Sequence, residues 1–179
     1  MRLATPITIK AVGQLEAGEL VIWSGLDVQS KAIVLLSAKQ NNGNTMLGIL
    51  ESVDSARDVI PHWRIAPNEN HKSISFGRDW IVVPDLVGVY AGKYYSYEKR
   101  PALYVVEQGT TLLQLRGGPD GRDGDFLFDL SVAGDSKFNS IPEASVGFPS
   151  WAIWLSEEDR SRPGAVPFFE ARPPAATEI

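Results

Sequence analysis

Two histidines and a set of carboxylates are the side chains of this sequence whose types support acid–base chemistry. His62 and His71 are its only histidines. Imidazole exchanges protons near neutral pH, so either histidine, with an aspartate from residues 120–129, would suit an enzyme that acts on a small polar or sugar-like substrate. Two histidines on separate segments are a poor metal signature, and surface or turn positions are the simpler interpretation of both.

A glycine-rich loop, GGPDGRDGD at residues 117–125, and the segment after it concentrate carboxylates. Side chains spaced in this way could converge on a hard cation such as calcium, which takes several oxygen ligands. The spacing of an EF-hand is absent, however, and Arg122 stands where a further ligand would help. We therefore predict a solvated turn and no metal. The carboxylates in question are Asp120, Asp123, Asp125 and Asp129.

All five tyrosines fall in one stretch, VGVYAGKYYSYEKRPALYVV, which begins at Val87. The pattern predicts a strand, a polar tip and a returning strand over Leu103–Val106, with Tyr90 and Tyr104 packed in the sheet. Tyrosine is enriched at protein interfaces, and neighbouring cations add cation–π or phosphate contacts. We call the exposed part the tyrosine tip, and its predicted binding residues are Tyr94, Tyr95, Tyr97, Lys99 and Arg100.

Composition limits the classes of function that remain. The net charge of −5 argues against a protein-wide affinity for nucleic acid, although the basic tip resembles a platform for single strands. The absence of cysteine excludes disulfides, iron–sulfur clusters and thiol nucleophiles. No apolar run approaches the roughly 18 residues of a membrane span, and no signal peptide is visible. We therefore expect a protein that is cytoplasmic or is exported by a route that needs no cleaved signal. No cofactor is predicted.

The elements that must position these groups are short strands. The Asn42-Gly43 turn predicts a hairpin between residues 32–38 and 45–51, and Gly109 predicts another between 103–106 and 111–115. Residues 7–12 and 126–132 alternate apolar and polar side chains, as half-buried strands do. Ser156 begins an imperfect capping box that predicts a short helix to about Arg162, and a second short helix or a loop fits residues 52–60.

The sum is an all-β domain over residues 1–162, a mainly antiparallel sandwich or barrel of about ten short strands with one or two short helices. Residues 163–179 contain four prolines, which predicts an extended tail over this range. The tail orders where Phe168 and Phe169 dock, and these two phenylalanines are further predicted binding residues. Trp151 and Trp154 differ in parity and should face opposite sides of their strand.

The leading hypothesis is a non-enzymatic binding or assembly protein, a structural or accessory subunit of a larger bacterial or viral (phage) assembly. It would contact a protein partner or itself, as a homo-oligomer, through the tyrosine tip and the C-terminal tail. In a phage its location would be the virion rather than the cytoplasm. The enzyme that uses His62 or His71 is the first alternative, and binding of single-stranded nucleic acid is the second. No membrane partner is predicted.

Overall fold

Strands make up most of the chain that the structure describes. The computed structural model describes residues 7–24, 31–39, 45–52, 62–66, 68–91, 103–117, 126–130 and 141–172. Its strands are β1 (Thr8–Ala11), β2 (Leu20–Ser24), β3 (Lys31–Lys39), β4 (Thr45–Ser52), β5 (His62–Ile65), β6 (Lys72–Ser75), β7 (Ile81–Pro84), β8 (Tyr90–Ala91), β9 (Leu103–Val106), β10 (Thr111–Gly117), β11 (Phe126–Asp129), β12 (Ser145–Phe148), β13 (Trp151–Trp154) and β14 (Phe169–Ala171). One α-helix within these ranges, α1, covers Glu157–Ser161. The predicted all-β fold class is confirmed.

The strands form two sheets that stack as a sandwich. The long sheet has 11 strands in the order β1-β6-β2-β3-β4-β5-β10-β9-β12-β8, with β11 also paired to β10. The small sheet has the order β14-β13-β7. Among the described pairs only β10 and β5 run parallel. Because β1 and β8 lie at opposite ends of the described sheet, the long sheet is open rather than closed into a barrel.

The main core lies between the two sheets. Leu113 and Phe128 from the long sheet pack with Trp151, Ile153 and Phe169 from the small one. Two further clusters lie on the opposite face of the long sheet. One surrounds Trp23 with Val12, Leu15, Val21, Leu47, Ile49 and Ala66, and the other contains Tyr104, Val106, Leu112, Leu127 and Ile141.

Apolar material on both faces explains a departure from the expected alternation. Leu127 and Phe128 are neighbours in β11, point to opposite faces and are both buried. Alternation indicates a strand with one solvent-exposed face, whereas β11 is covered on both faces where it pairs with β10. The strand itself is confirmed over Phe126–Asp129.

Both predicted hairpins and the predicted helix are present. β3 pairs antiparallel with β4, and β9 pairs antiparallel with β10 through a 3-10 turn that ends at Gly109, whose φ is 81°. In α1 the Ser156 hydroxyl accepts a hydrogen bond from the Asp159 amide at 3.0 Å, as an N-cap does. Residues 53–60, the site of the second predicted helix or loop, lie outside the described residues.

Two expectations were wrong in detail. β1 forms as predicted, but it is an end strand and Ile9 on it is 75% exposed, because the face it shares with Ile74 of β6 is bare. The tyrosine stretch is not a hairpin. β8 and β9 both pair antiparallel with β12, which lies between them, so they run in the same direction and do not pair with each other. Residues 92–102, which link them, lie outside the described residues.

Candidate interaction site

His71 is half-buried and is hydrogen-bonded to the 3-10 turn Val12–Gln14. Its backbone carbonyl accepts from the Val12 amide at 2.8 Å, its ring lies 6.4 Å from that of Trp23, and its Nδ1 has no hydrogen-bond partner among the described residues. The adjacent Glu69 is already engaged: its oxygens accept from the Thr45 amide at 2.7 Å and the Thr45 hydroxyl at 2.8 Å. This carboxylate therefore acts as a structural clamp on the start of β4.

The other groups of the acid–base hypothesis are not brought together by described geometry. His62 lies in β5 and Asp129 ends β11, while Asp120, Asp123 and Asp125 lie outside the described residues. Across the part of the chain that is described, no three His, Asp or Glu side chains form a cluster that could hold a metal ion. The enzymatic role of either histidine stays a prediction.

A second carboxylate, that of the buried Glu19, also has structural partners. Glu19 receives the Lys10 ammonium from β1 and the Ser75 hydroxyl from β6, the latter at 3.0 Å. Ser75 in turn accepts from the Gly77 amide at 3.1 Å. These bonds fasten the turn before β2 to the end of the long sheet. Buried charges are normally paired in this manner, and the arrangement calls for no chemistry.

The tyrosine tip lies outside the described residues, so the binding roles of Tyr94, Tyr95, Tyr97, Lys99 and Arg100 stay predictions. The strands that anchor it are described. Tyr104 is fully buried in β9, as predicted, and its hydroxyl lies 3.3 Å from Oε1 of Gln114. The register places Tyr90 and Tyr104 on either side of Gly147. The tip therefore begins and ends beside β12 at one end of the long sheet.

The two tail phenylalanines lie against their own chain. Phe169 opens β14, is 8% exposed and packs 5.2 Å from the ring of Trp151. Phe168 makes an edge-to-face contact with Phe76, with ring centroids 4.8 Å apart. A partner could reach Phe169 only if β14 left β13, whereas Phe168 also lines an open cavity described below. Their binding roles stay predictions.

Exposed aliphatic side chains are grouped in the turn between β7 and β8. We call residues 86–89 the apolar turn. Leu86 is 78% exposed and Val87 is 72% exposed, and Val89 is also exposed. Val146, on the adjacent β12, is a further exposed aliphatic residue. Grouped apolar exposure of this kind marks interaction surfaces more often than single exposed residues do.

Hydrogen bonds hold the apolar turn in one conformation. The Asp85 amide donates to the Ser150 carbonyl at 2.9 Å, and Oδ1 of Asp85 accepts from the Val87 amide at 3.1 Å. Gly88 has a φ of 74°, and a Cβ built on it would lie 3.3 Å from Cγ of Pro149. The turn is therefore pre-organised, which lowers the entropy that binding would cost.

Gly88→Ala tests this pre-organisation. We expect it to lower the free energy of unfolding by about 1–2 kcal/mol, because a Cβ is disfavoured at positive φ and Pro149 leaves little room for it. Chemical denaturation followed by circular dichroism measures the change. Gly88→Asn is the matched control, since asparagine tolerates this backbone region, and it should cost less. Equal losses in the two variants would contradict the role of the backbone angle.

An open cavity of about 500 Å³ lies where the chain passes from α1 to β14. Its aromatic walls are Trp154 and Phe168, and Val166 at its mouth is 82% exposed. Trp154 faces away from the buried Trp151, as the parity of the two residues predicted. The remaining lining residues are Leu155, Asp159, Arg162, Pro163, Gly164, Ala165 and Pro167. Mostly apolar walls with a few charges are typical of sites that bind a ligand or side chain.

The apolar turn and the cavity lie at opposite ends of β13. In the small sheet Trp151 pairs with Pro84, the residue before Asp85, and Trp154 pairs with Ile81. The turn therefore follows the Trp151 end of β13, and the cavity lies at the Trp154 end. These ends are about 10 Å apart along the strand, at roughly 3.3 Å for each residue.

Each feature has both signs of charge beside it. The pKa of Arg172 is raised by a hydrogen bond to Glu170, by the charge of Glu170 and, more weakly, by the charge of Asp85 at the start of the apolar turn. At the cavity, Arg162 pairs with Asp159 at 3.1 Å and with the exposed Glu158 at 3.2 Å. Exposed pairs of this kind contribute little to stability and exchange partners readily.

The class defined by these observations is an open all-β sandwich with an apolar projection and an apolar cavity on its small sheet. No match to this chain was found in comparisons with family models, with curated proteins or with solved structures. Within the described residues, no helix combines the length and apolar character needed to cross a bilayer. The sequence pattern predicted a strand in the stretch that begins at Val87 and missed the projection, although Pro84, Asp85 and Gly88 are turn-forming residues that signal it.

Proposed function

We propose that this protein is a non-enzymatic binding or assembly protein that contacts protein partners through the apolar turn and the neighbouring tyrosine tip. It would serve as a structural or accessory subunit of a larger bacterial or phage assembly, in the cytoplasm or in the virion. The observation that carries the proposal is the apolar turn. Leu86 and Val87 are held outward by a backbone that is fixed at Asp85 and Gly88.

The placement of the turn supports a binding role rather than a folding role. The residues before and after it belong to different sheets, β7 to the small sheet and β8 to the end of the long one. A link between sheets needs no aliphatic side chains in water, and exposing them lowers solubility. Their exposure is consistent with a surface that a partner covers. The tyrosine tip continues from β8 and would extend that surface.

Site-specific photo-crosslinking tests the proposal. A photoreactive amino acid is placed at position 87, or at position 95 in the tip, and the full-length chain is expressed in the cells that naturally make it. We expect crosslinked species of higher mass from both positions, because a partner covers them. Mass spectrometry then identifies the crosslinked chains, which include other proteins, copies of this chain, or both.

Position 9 provides the matched control. Ile9 is as exposed as Val87 but lies on β1 at the other end of the long sheet. Crosslinks from positions 87 and 95 that exceed those from position 9 support the proposal. Equal or absent crosslinking at all three positions would overturn it.

A further inference from the structure

We infer that one partner of the apolar turn is a second copy of this chain, whose cavity beside Trp154 receives Leu86 and Val87. The inference rests on the proposed function and names the partner of the same surface. It makes the protein self-associating in a head-to-tail manner. The turn is the projecting element of one copy and the cavity is the receiving element of the next.

Size and chemistry fit the two features together. The cavity of about 500 Å³ falls in the ~300–1,000 Å³ range of pockets that enclose a ligand, so it has room for two aliphatic side chains. Trp154, Phe168 and Val166 offer apolar walls. Burying Leu86 and Val87 there would remove apolar surface of both the turn and the cavity walls from water. Removal of apolar surface from water is the main favourable contribution to most protein association.

The charges beside the two features are complementary. Next to the turn stand Asp85 and the exposed Arg172. At the cavity stand the exposed Glu158 and Arg162. Within one copy Arg172 pairs with Glu170, and Arg162 pairs with Glu158 and Asp159. A contact that brings Arg172 to Glu158 and Asp85 to Arg162 places opposite charges together across the interface. Complementary charges of this kind select the register and partner of an interface more than they add affinity.

Topology excludes insertion of the turn into the cavity of its own chain. The two features lie at opposite ends of β13, and hydrogen bonds to Ser150 and within the turn hold Leu86 at its end. The contact is therefore heterologous, since different surfaces of the two copies meet. Repeated contacts of this type close into a ring or continue as a filament.

The decisive experiment combines two variants that each lose one side of the contact. Leu86→Asp removes the projection and keeps the cavity, whereas Val166→Asp blocks the cavity and keeps the projection. Both residues are exposed, so both variants should fold, which circular dichroism checks. In sedimentation velocity over a series of protein concentrations, we expect the unaltered chain to form species larger than dimers. Each variant alone should remain a monomer.

An equimolar mixture of the two variants should form a dimer and stop there, because only one productive contact is possible. Ile9→Asp is the control, and it should assemble like the unaltered chain. Charge reversal provides an independent test. Arg172→Glu and Glu158→Arg should each weaken the association at least about tenfold, and the double variant should recover it, as ion-pair exchange across an interface does.

The inference is overturned if the unaltered chain stays monomeric, if Leu86→Asp assembles normally, or if the mixed variants do not pair. These outcomes are separable from failure of the proposed function. If position 87 crosslinks to other proteins and the purified chain stays monomeric, the proposed function is supported and the self-association is contradicted. A dimer that stops at two for the unaltered chain would also contradict the head-to-tail geometry.

Discussion

Replacing Trp151 with alanine should lower the free energy of unfolding by about 3–5 kcal/mol, the cost typical of deleting a large buried aromatic side chain. Trp151 is 2% exposed and lies in the central strand of the small sheet, between Pro84 of β7 and Ala171 of β14. It also packs on Phe169. Its loss would leave a cavity where the small sheet meets the main core.

Urea denaturation followed by circular dichroism measures this loss, and Trp154→Ala is the matched control. Trp154 occupies the same strand, is half-buried and faces the open cavity, so its replacement should cost clearly less. If Trp151→Ala does not fold, Trp151→Phe supplies a milder test that should still be destabilising. A Trp154→Ala variant that loses as much stability as Trp151→Ala would contradict the described packing of the two sheets.

Replacing Glu69 with alanine should lower the free energy of unfolding by about 2–4 kcal/mol, because it leaves the amide and hydroxyl of the buried Thr45 without their acceptor. The loss occurs where β4 begins and where Glu69 also stands against Gly13. Glu69→Gln keeps one acceptor oxygen and the shape of the side chain. It should lose roughly half as much as Glu69→Ala, at about 1–2 kcal/mol for one lost bond.

A double-mutant cycle isolates the contribution of this contact. Thr45→Val removes the hydroxyl that donates to Glu69 and keeps the backbone amide. The loss caused by Glu69→Gln should be smaller in the Thr45→Val background than in the unaltered chain, since one of the two hydrogen bonds is already absent. Strict additivity of the two changes would show that the side chains are not coupled.

The clamp by Glu69 bears on the alternative in which His71 takes part in catalysis. A histidine that works as a general base is normally oriented by an acceptor such as a carboxylate. The carboxylate nearest to His71 in sequence uses both oxygens on Thr45 instead. The buried carboxylate of Glu19 is likewise held by Lys10 and Ser75. These two acids therefore fasten turns to the sheet.

Self-association through the apolar turn would account for exposed residues that monomer folding does not need. The turn and the cavity both adjoin the small sheet, whose inner face closes the main core. A rigid projection paired with a preformed cavity limits the entropy lost on assembly. The tyrosine tip, which starts from β8 just after the turn, would then lie close to the same contact and extend it.

Local patterns determined much of this fold from sequence. The Asn42-Gly43 pair and Gly109 predicted the hairpins β3–β4 and β9–β10, because the tolerance of these residue types for tight turns is a short-range property. Ser156 specified the start of α1 for the same reason, since a cap bonds within three residues. The opposite orientation of Trp151 and Trp154 followed from strand parity alone.

Only the tertiary structure decided which strand faces are exposed to solvent and which strands lie side by side. The insertion of β12 between β8 and β9 prevents these two strands from pairing as a hairpin, and it depends on residues far along the chain. The exposure of Ile9 follows from the position of β1 at the end of the long sheet, and strand order is not a local property. Pairing of β7 with β13 places the apolar turn and the cavity at opposite ends of β13. Such long-range pairings are selected by the packing of the whole core, to which each short segment contributes only a small part of the energy.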